Sequence, residues 1–341
     1  LSNMLDEALA ARHAVAAQCA DTDRVEALAA SLAEKSRHVA LTVARGSSDH
    51  AASYFASLAM SRIGVPVASL PMSIATLQAA PLRVAGEFAI AFSQSGKSPD
   101  LVETMTTLRR AGALTVSCVN APDSPLASAC EWQLPLRAGP ERSVAATKSY
   151  IAMLSLSAQL VAFWQRPERD EPLIEALRAL PDALDESAHL DWSRAIEALV
   201  GAERMFVIGR GLGLAIAQEA ALKLKETSGI QAEAFSSAEV RHGPMELIDE
   251  NYPLLIFAPR GPEQAGLVRL AADMRARGAR VLLAAPGDVA EATLPLATTR
   301  HLALDPIAAI QTFYVMAAGL AVARGRDADQ PRYLNKITET H

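Results

Sequence analysis

Residues Arg204–Glu226 read R-M-F-V-I-G-R-G-L-G-L-A-I-A-Q-E-A-A-L-K-L-K-E. Arg204–Ile208 has the composition of a short buried strand, Gly209-Arg210-Gly211-Leu212-Gly213 is a turn, and Leu214–Glu226 has helical spacing. Ala217, Ala220, Ala221 and Leu224 recur at i, i+3, i+4 and i+7 and form one apolar stripe. On the other face Glu219, Lys223 and Glu226 follow at i, i+4 and i+7, so two carboxylates flank an ammonium. Periodicity alone makes that charged face a solvated one, with ion pairs contributing about 0.2–0.5 kcal/mol each. Thr227-Ser228-Gly229 ends the helix, with Gly229 as its C′ residue.

The same unit occurs earlier in the chain. His38–Ala44 is a strand, Arg45-Gly46-Ser47-Ser48 a turn and Asp49–Arg62 a helix. Gly46 and Gly211 lie 165 positions apart, and the next strands, Phe88–Phe92 and Leu254–Ala258, keep that offset. The helices that follow end in R-R-A-G-A (Arg109–Ala113) and A-R-G-A (Ala276–Ala279), and strands Leu114–Val119 and Val281–Ala285 come next. Alternating strands and helices with mostly apolar strands imply parallel sheets covered on both faces. The expected fold is α/β: two flavodoxin-like three-layer sandwiches related by internal duplication. Ligands are then expected in the crevices at the strand C-termini.

The expected organisation is an N-terminal helical segment (1–30), a first sandwich (31–166), a linker and helix (167–195), a second sandwich (196–324) and a tail (325–341). A long helix from about Ser143 to Gln165 closes the first sandwich, and a charged linker, Pro167–Pro172, follows it.

Composition excludes several classes. The 341 residues are 50% apolar and 21% charged, which is globular rather than disordered. A net charge of −6 gives no electrostatic case for nucleic acid or an anionic membrane. Cys19, Cys118 and Cys130 are odd in number and lack C-x-x-C spacing, which points to reduced, buried thiols in a cytoplasmic protein. No apolar run is expected to reach the ~18–20 residues of a membrane span, and residues 1–20 lack the pattern of a signal peptide. Leu1 in first place suggests a trimmed chain.

Ser93-Gln94-Ser95-Gly96-Lys97-Ser98-Pro99-Asp100 ends one strand and opens a helix. Three hydroxyls, a glycine that lets amides approach an anion and the positive end of a helix make a phosphate cradle. Ser98 is its N-cap and Pro99 its first helical residue. The matching place in the second copy, Pro259-Arg260-Gly261-Pro262, has two prolines that remove amide donors, so the first copy is expected to hold the phosphate. Gly46, Ser47 and Ser48 place further hydroxyls beside it. Gly209–Leu214 lacks the third glycine of a dinucleotide fingerprint. The seven histidines form no metal-ligand spacing, no G-x-S-x-G elbow occurs, and no cofactor or metal is expected.

The run A-L-K-L-K-E-T-S-G-I-Q-A-E-A-F-S-S-A-E-V-R-H-G-P (Ala221–Pro244) resembles the sugar-isomerising half of the isomerizing glutamine:fructose-6-phosphate aminotransferases, a pair of SIS (sugar isomerase) domains. Glu141–Lys148 (E-R-S-V-A-A-T-K) resembles that family's E-x-x-V-A-S-T-K, which lines the sugar pocket with backbone carbonyls and a serine. Val144 and Ala146 are its contact positions here, and Ala146 replaces the serine. Asp329–Lys336 (D-Q-P-R-Y-L-N-K) matches the family's tail, which folds over the active site with a lysine opposing the sugar carbonyl, in some members as a Schiff base. Asn335 stands where the aminotransferase has a small residue.

The resemblance implies an enzyme. The family's glutaminase domain and its first-residue cysteine are not in this sequence, so the expectation is a stand-alone glucosamine-6-phosphate deaminase yielding fructose-6-phosphate and ammonia. The alternatives are a fructosamine-6-phosphate deglycase, another aldose–ketose isomerase, or a non-catalytic phosphosugar sensor. In the implied mechanism Ser48, Ser93, Gln94, Ser95, Gly96 and Ser98 anchor the phosphate of a phosphorylated amino sugar. Glu226 moves the proton between C2 and C1. Lys223 and Lys336 offset charge on the sugar oxygens, and His242, supplied by the other subunit of a homodimer, assists ring opening.

Overall fold

The computed structural model describes residues 2–165, 168–334 and 336. The chain forms two compact units. One comprises His13–Glu141 and Lys148–Arg178 together with Lys336, and the other comprises residues 2–12, Arg142–Thr147 and Ala179–Leu334.

The first unit is built on β1 (Ala40–Val43), β2 (Val67–Ser69), β3 (Phe88–Ser93), β4 (Leu114–Val119) and β5 (Trp132–Pro135), in the order β2-β1-β3-β4-β5. The second is built on β6 (Arg204–Gly209), β7 (Gln231–Ser236), β8 (Pro253–Phe257), β9 (Arg280–Ala285) and β10 (Leu294–Pro295). Its order, β10-β9-β8-β6-β7, repeats the first read from the opposite edge. Every pairing is parallel. Strands β1 and β3 are buried along their whole length, as both-face coverage requires.

The duplication extends to backbone angles. Gly46 and Gly211, the N-caps of helices Ser47–Arg62 and Leu212–Ser228, have φ/ψ of 56°/−134° and 55°/−133°. No side chain adopts that conformation without strain, which explains a glycine at both places.

Two expectations are corrected. Ser143–Thr147 is not helical, and the helix begins at Lys148 and runs to Trp164. The amides of Arg142 and Ser143 donate to the carboxylate of Glu7, and that of Val144 donates to the carbonyl of Asp329, so long-range partners outcompete helix formation. The second concerns membrane-length segments. Leu302–Ala323 is long and apolar enough to span a bilayer by composition, but 78% of its most apolar window is buried within the fold. It is a core helix of its unit, lined by Ile307, Ile310, Phe313 and Tyr314, each fully buried.

The cysteines are all free. Burial pushes the Cys118 and Cys130 thiols well up, and raises Cys19 to about 11.

Candidate active site

Helix Leu212–Ser228 carries the charged trio, and the trio is not a solvated face. Glu219 is fully buried and Lys223 is 1% exposed, while the Glu226 side chain keeps 19% exposure. The Lys223 ammonium lies 2.6 Å from Glu226 Oε2 and 3.3 Å from Glu219 Oε1. Tyr314, on the core helix, donates its hydroxyl to Glu219 at 3.0 Å. Burial works against the Lys223 charge, but the two carboxylates more than compensate and hold its proton affinity above the ordinary lysine value. A buried ammonium shared by two carboxylates is stable because each charge has a partner.

The helix ends at Gly229, which has φ 61° and whose amide donates to Leu224 and Lys225 carbonyls. A Cβ on Gly229 would stand 2.3 Å from Arg326 Cζ, so the missing side chain is what lets that guanidinium lie over the helix end. There it faces the negative pole of the helix. Beyond it the chain turns back, and Glu226, Thr227, Arg326, Asp327, Gln330 and Arg332 line a cavity of about 160 Å³. Glu226 is the one member of the trio on this lining.

The returning segment is fastened at Asp329. Its carboxylate accepts from the amides of Asn3 and Met4, at 2.7 Å each, and its carbonyl accepts from Val144. Ser143 donates to the carbonyl of Ala328. Val144 and Ala146 thus belong to a loop stitched to the tail. His242 lines a different cavity of the same unit, with Arg210 and Arg241.

In the other unit, Ser93–Ser98 forms a closed loop at the C-terminal end of β3. Ser93 Oγ accepts from the Gly96 amide at 2.9 Å, and Ser95 Oγ from the Lys97 amide at 3.3 Å. Gly96 has φ 64°, and a Cβ there would fall 2.2 Å from Ser124 Oγ. Ser98 is the N-cap of helix Pro99–Arg110, but its hydroxyl caps no amide. Arg45, in the turn after β1, binds Asp100 in the first turn of that helix at 2.8 Å, and Ser47 and Ser48 open the helix that follows Arg45. Gln94 is half-buried and accepts the Asn120 amide at its carbonyl. The Ser93 and Ser95 hydroxyls thus accept from the loop's own amides, and the loop leads into the N-terminus of helix Pro99–Arg110.

Lys336 belongs to this unit, with its ammonium 3.5 Å from Glu141 Oε2. Glu141 is fully buried and also accepts from the Ser149 amide and hydroxyl. Asn335 lies outside the described residues. Sequence reasoning missed Tyr314, Arg326 and the role of Glu141. The quoted E-R-S-V-A-A-T-K run contained Glu141, and nothing local marked Tyr314. Among the described residues no group of three or more His, Cys, Asp or Glu is placed to hold a metal ion.

The SIS domain family matches residues 33–163 and 198–318. The chain is 36% identical over 265 residues to glutamine–fructose-6-phosphate aminotransferase (isomerizing) of Thermus thermophilus, covering 73% of this chain and 43% of that protein. The enzyme of the same name from Aeropyrum pernix is 36% identical over 317 residues, 87% of this chain and 50% of the relative. The chain thus spans about half the length of the curated relatives it matches. Among solved structures, a candidate phosphosugar isomerase from Silicibacter pomeroyi superposes with a TM-score of 0.91 at 38% identity, covering 96% of this chain and all of that one. The C-terminal domain of glucosamine-fructose-6-phosphate aminotransferase from Francisella tularensis shares the fold, with a TM-score of 0.84 at 24% identity over 96% of this chain and 98% of that one.

Proposed function

The chain belongs to the SIS-domain family, and from that premise we propose that it is a phosphosugar-isomerising enzyme acting on an amino-sugar 6-phosphate. The proposed reaction takes glucosamine-6-phosphate and water to fructose-6-phosphate and ammonia. One observation carries the reading: a carboxylate, Glu226, is held at 2.6 Å by a buried ammonium and opens onto a cavity roofed by the tail. A positioned carboxylate is what proton transfer between neighbouring sugar carbons needs, a role typically contributing 10²–10⁴-fold. The relatives' name supports fructose-6-phosphate as one end of the reaction.

In the proposed sequence the open-chain aldehyde loses its C2 proton to Glu226, the C–H electron pair forms a C1=C2 double bond, and the C1=O π pair moves to O1, which takes up a proton. The enolamine regains a proton at C1, which leaves an imine at C2. Water adds to that carbon and the amine departs as ammonia. Lys223 is fully engaged by carboxylates, so its part is to position Glu226 rather than to meet sugar oxygens directly. Remote binding of the phosphate by Ser93, Gln94, Ser95, Gly96 and Ser98, with Ser47 and Ser48, orients the reacting carbons. Lys336, set by Glu141, is assigned to the sugar carbonyl, and His242 of a second subunit to ring opening.

The test is incubation with glucosamine-6-phosphate, a fructosamine-type 6-phosphate and fructose-6-phosphate, scoring ammonia and sugar products separately. Equal yields of ammonia and fructose-6-phosphate from the first substrate support the reading. Turnover of the fructosamine alone would make the protein a deglycase. Tight binding without turnover of any of them would make it a sensor.

A further inference from the structure

The second unit contains a basic cavity of which the reading above uses only His242. Arg210, Ser237, Arg241, His242, Arg269 and Asp273 line a space of about 470 Å³, large enough for a small molecule. Arg210 follows β6, Ser237 and Arg241 follow β7, and Arg269 lies on helix Gln264–Ala276 after β8. The cavity therefore sits at strand C-termini, where open parallel sheets take ligands.

Its charge is unbalanced. Asp273 accepts from Arg241 at 2.9 Å and offsets one guanidinium. Glu263 is also near, but its carboxylate lies over Gly211, outside the lining. Arg210 and Arg269 have no hydrogen-bond or ion-pair partner among the described residues. Both side chains are exposed and line the same cavity, so their charges add there.

The internal duplication explains why Arg210 is free. Its counterpart 165 positions earlier is Arg45, which is neutralised by Asp100 at 2.8 Å. The position matching Asp100 is Ala265, so the second copy keeps the arginine and lacks its carboxylate. The backbones of the two turns are the same, as Gly46 and Gly211 show, so the difference lies in side-chain charge. The second copy has lost the hydroxyl-and-amide cradle at Pro259–Pro262, where Arg260 is instead bound to Asp305 at 2.7 Å. It carries free guanidiniums in another corner of the same sheet end.

We propose that this cavity is a second anion site, for the phosphate group of a small metabolite, with Arg210 and Arg269 as its principal ligands and Ser237 as a hydroxyl donor. Guanidinium groups suit it, since their paired N–H donors match phosphate oxygens. The proposal does not depend on the reaction assigned to Glu226.

Pyrophosphate binding, followed by isothermal titration at low ionic strength, tests it. In the Ser95→Ala/Ser98→Ala protein, where the serine cradle is disabled, pyrophosphate should still bind. Adding Arg210→Ala and Arg269→Ala should weaken that binding at least tenfold without lowering the melting temperature, because neither arginine has a partner to lose. Arg210→Gln/Arg269→Gln, which keeps much of the side-chain bulk, should behave the same way and guards against a folding defect. Competition by fructose-6-phosphate against a nucleoside diphosphate then tells which kind of phosphate carrier the cavity prefers. Unchanged affinity in both arginine double variants, or no binding once the serine cradle is disabled, would overturn the proposal.

Discussion

The ammonium of Lys223 stands 2.6 Å from the carboxylate of Glu226, one turn further along the same helix, and shares its charge with buried Glu219 at 3.3 Å. This contact engages the one carboxylate of the two that lines a cavity.

Stability should depend on the trio asymmetrically. Lys223→Met leaves Glu219 buried without its cation, a loss of about 3–5 kcal/mol. Glu219→Gln leaves Lys223 paired with Glu226 and should cost less. Denaturant titrations of the two variants give the order directly. The Lys223 proton affinity in the folded state is raised above the ordinary value of 10.5, so its contribution is fully present below about pH 10.5 and fades as pH climbs through the higher folded value. Unfolding followed at increasing alkalinity should show that decline in the wild type, and Lys223→Met should lack it.

Gly229→Ala should destabilise the protein by about 1–2 kcal/mol from the left-handed backbone alone. The new methyl also meets the Arg326 guanidinium, which must leave the helix end. Combining it with Arg326→Ala should return part of the loss, and a thermal double-mutant cycle measures how much.

How far these features were legible beforehand differs by element. The duplicated strand–turn–helix was readable because Gly46 and Gly211 answer the same backbone demand at a fixed spacing. The tight Ser93–Ser98 turn was readable for a similar reason, its serines and Gly96 being local in sequence. Burial of the charged helix face was not, because periodicity records which residues share a face and not what covers it. The cover is the core helix with Tyr314, far away in the chain. The start of the helix at Lys148 escaped for the same reason: Glu7 and Asp329 claim the preceding amides from a distance.

Within the cradle, Gly96→Ala should be more damaging than any single serine change. It strains a φ of 64° and drives a methyl into Ser124, so the loop must open. Ser95→Ala with Ser98→Ala loses the Lys97 contact but leaves the Ser93–Gly96 hydrogen bond, and should raise KM for sugar phosphate with kcat little changed, the mark of uniform binding. Steady-state kinetics on the three proteins separates the two effects.

His242 lines a cavity apart from Glu226, which motivates its assignment to a second subunit's site. Chains carrying His242→Ala and chains carrying Glu226→Gln should each be inactive, and their verified heterodimers should regain part of the activity. If those heterodimers stay inactive, both residues serve the same subunit.

The most direct test of the account uses Glu226→Gln, which keeps size and hydrogen bonding but cannot take up a proton. With glucosamine-6-phosphate as substrate, the wild type should release ammonia and fructose-6-phosphate in equal amounts. The variant should lose 10²–10⁴-fold in kcat, as a missing general base predicts, while binding the sugar phosphate nearly as well. A variant that releases ammonia at the wild-type rate would contradict the assignment of Glu226 as the base.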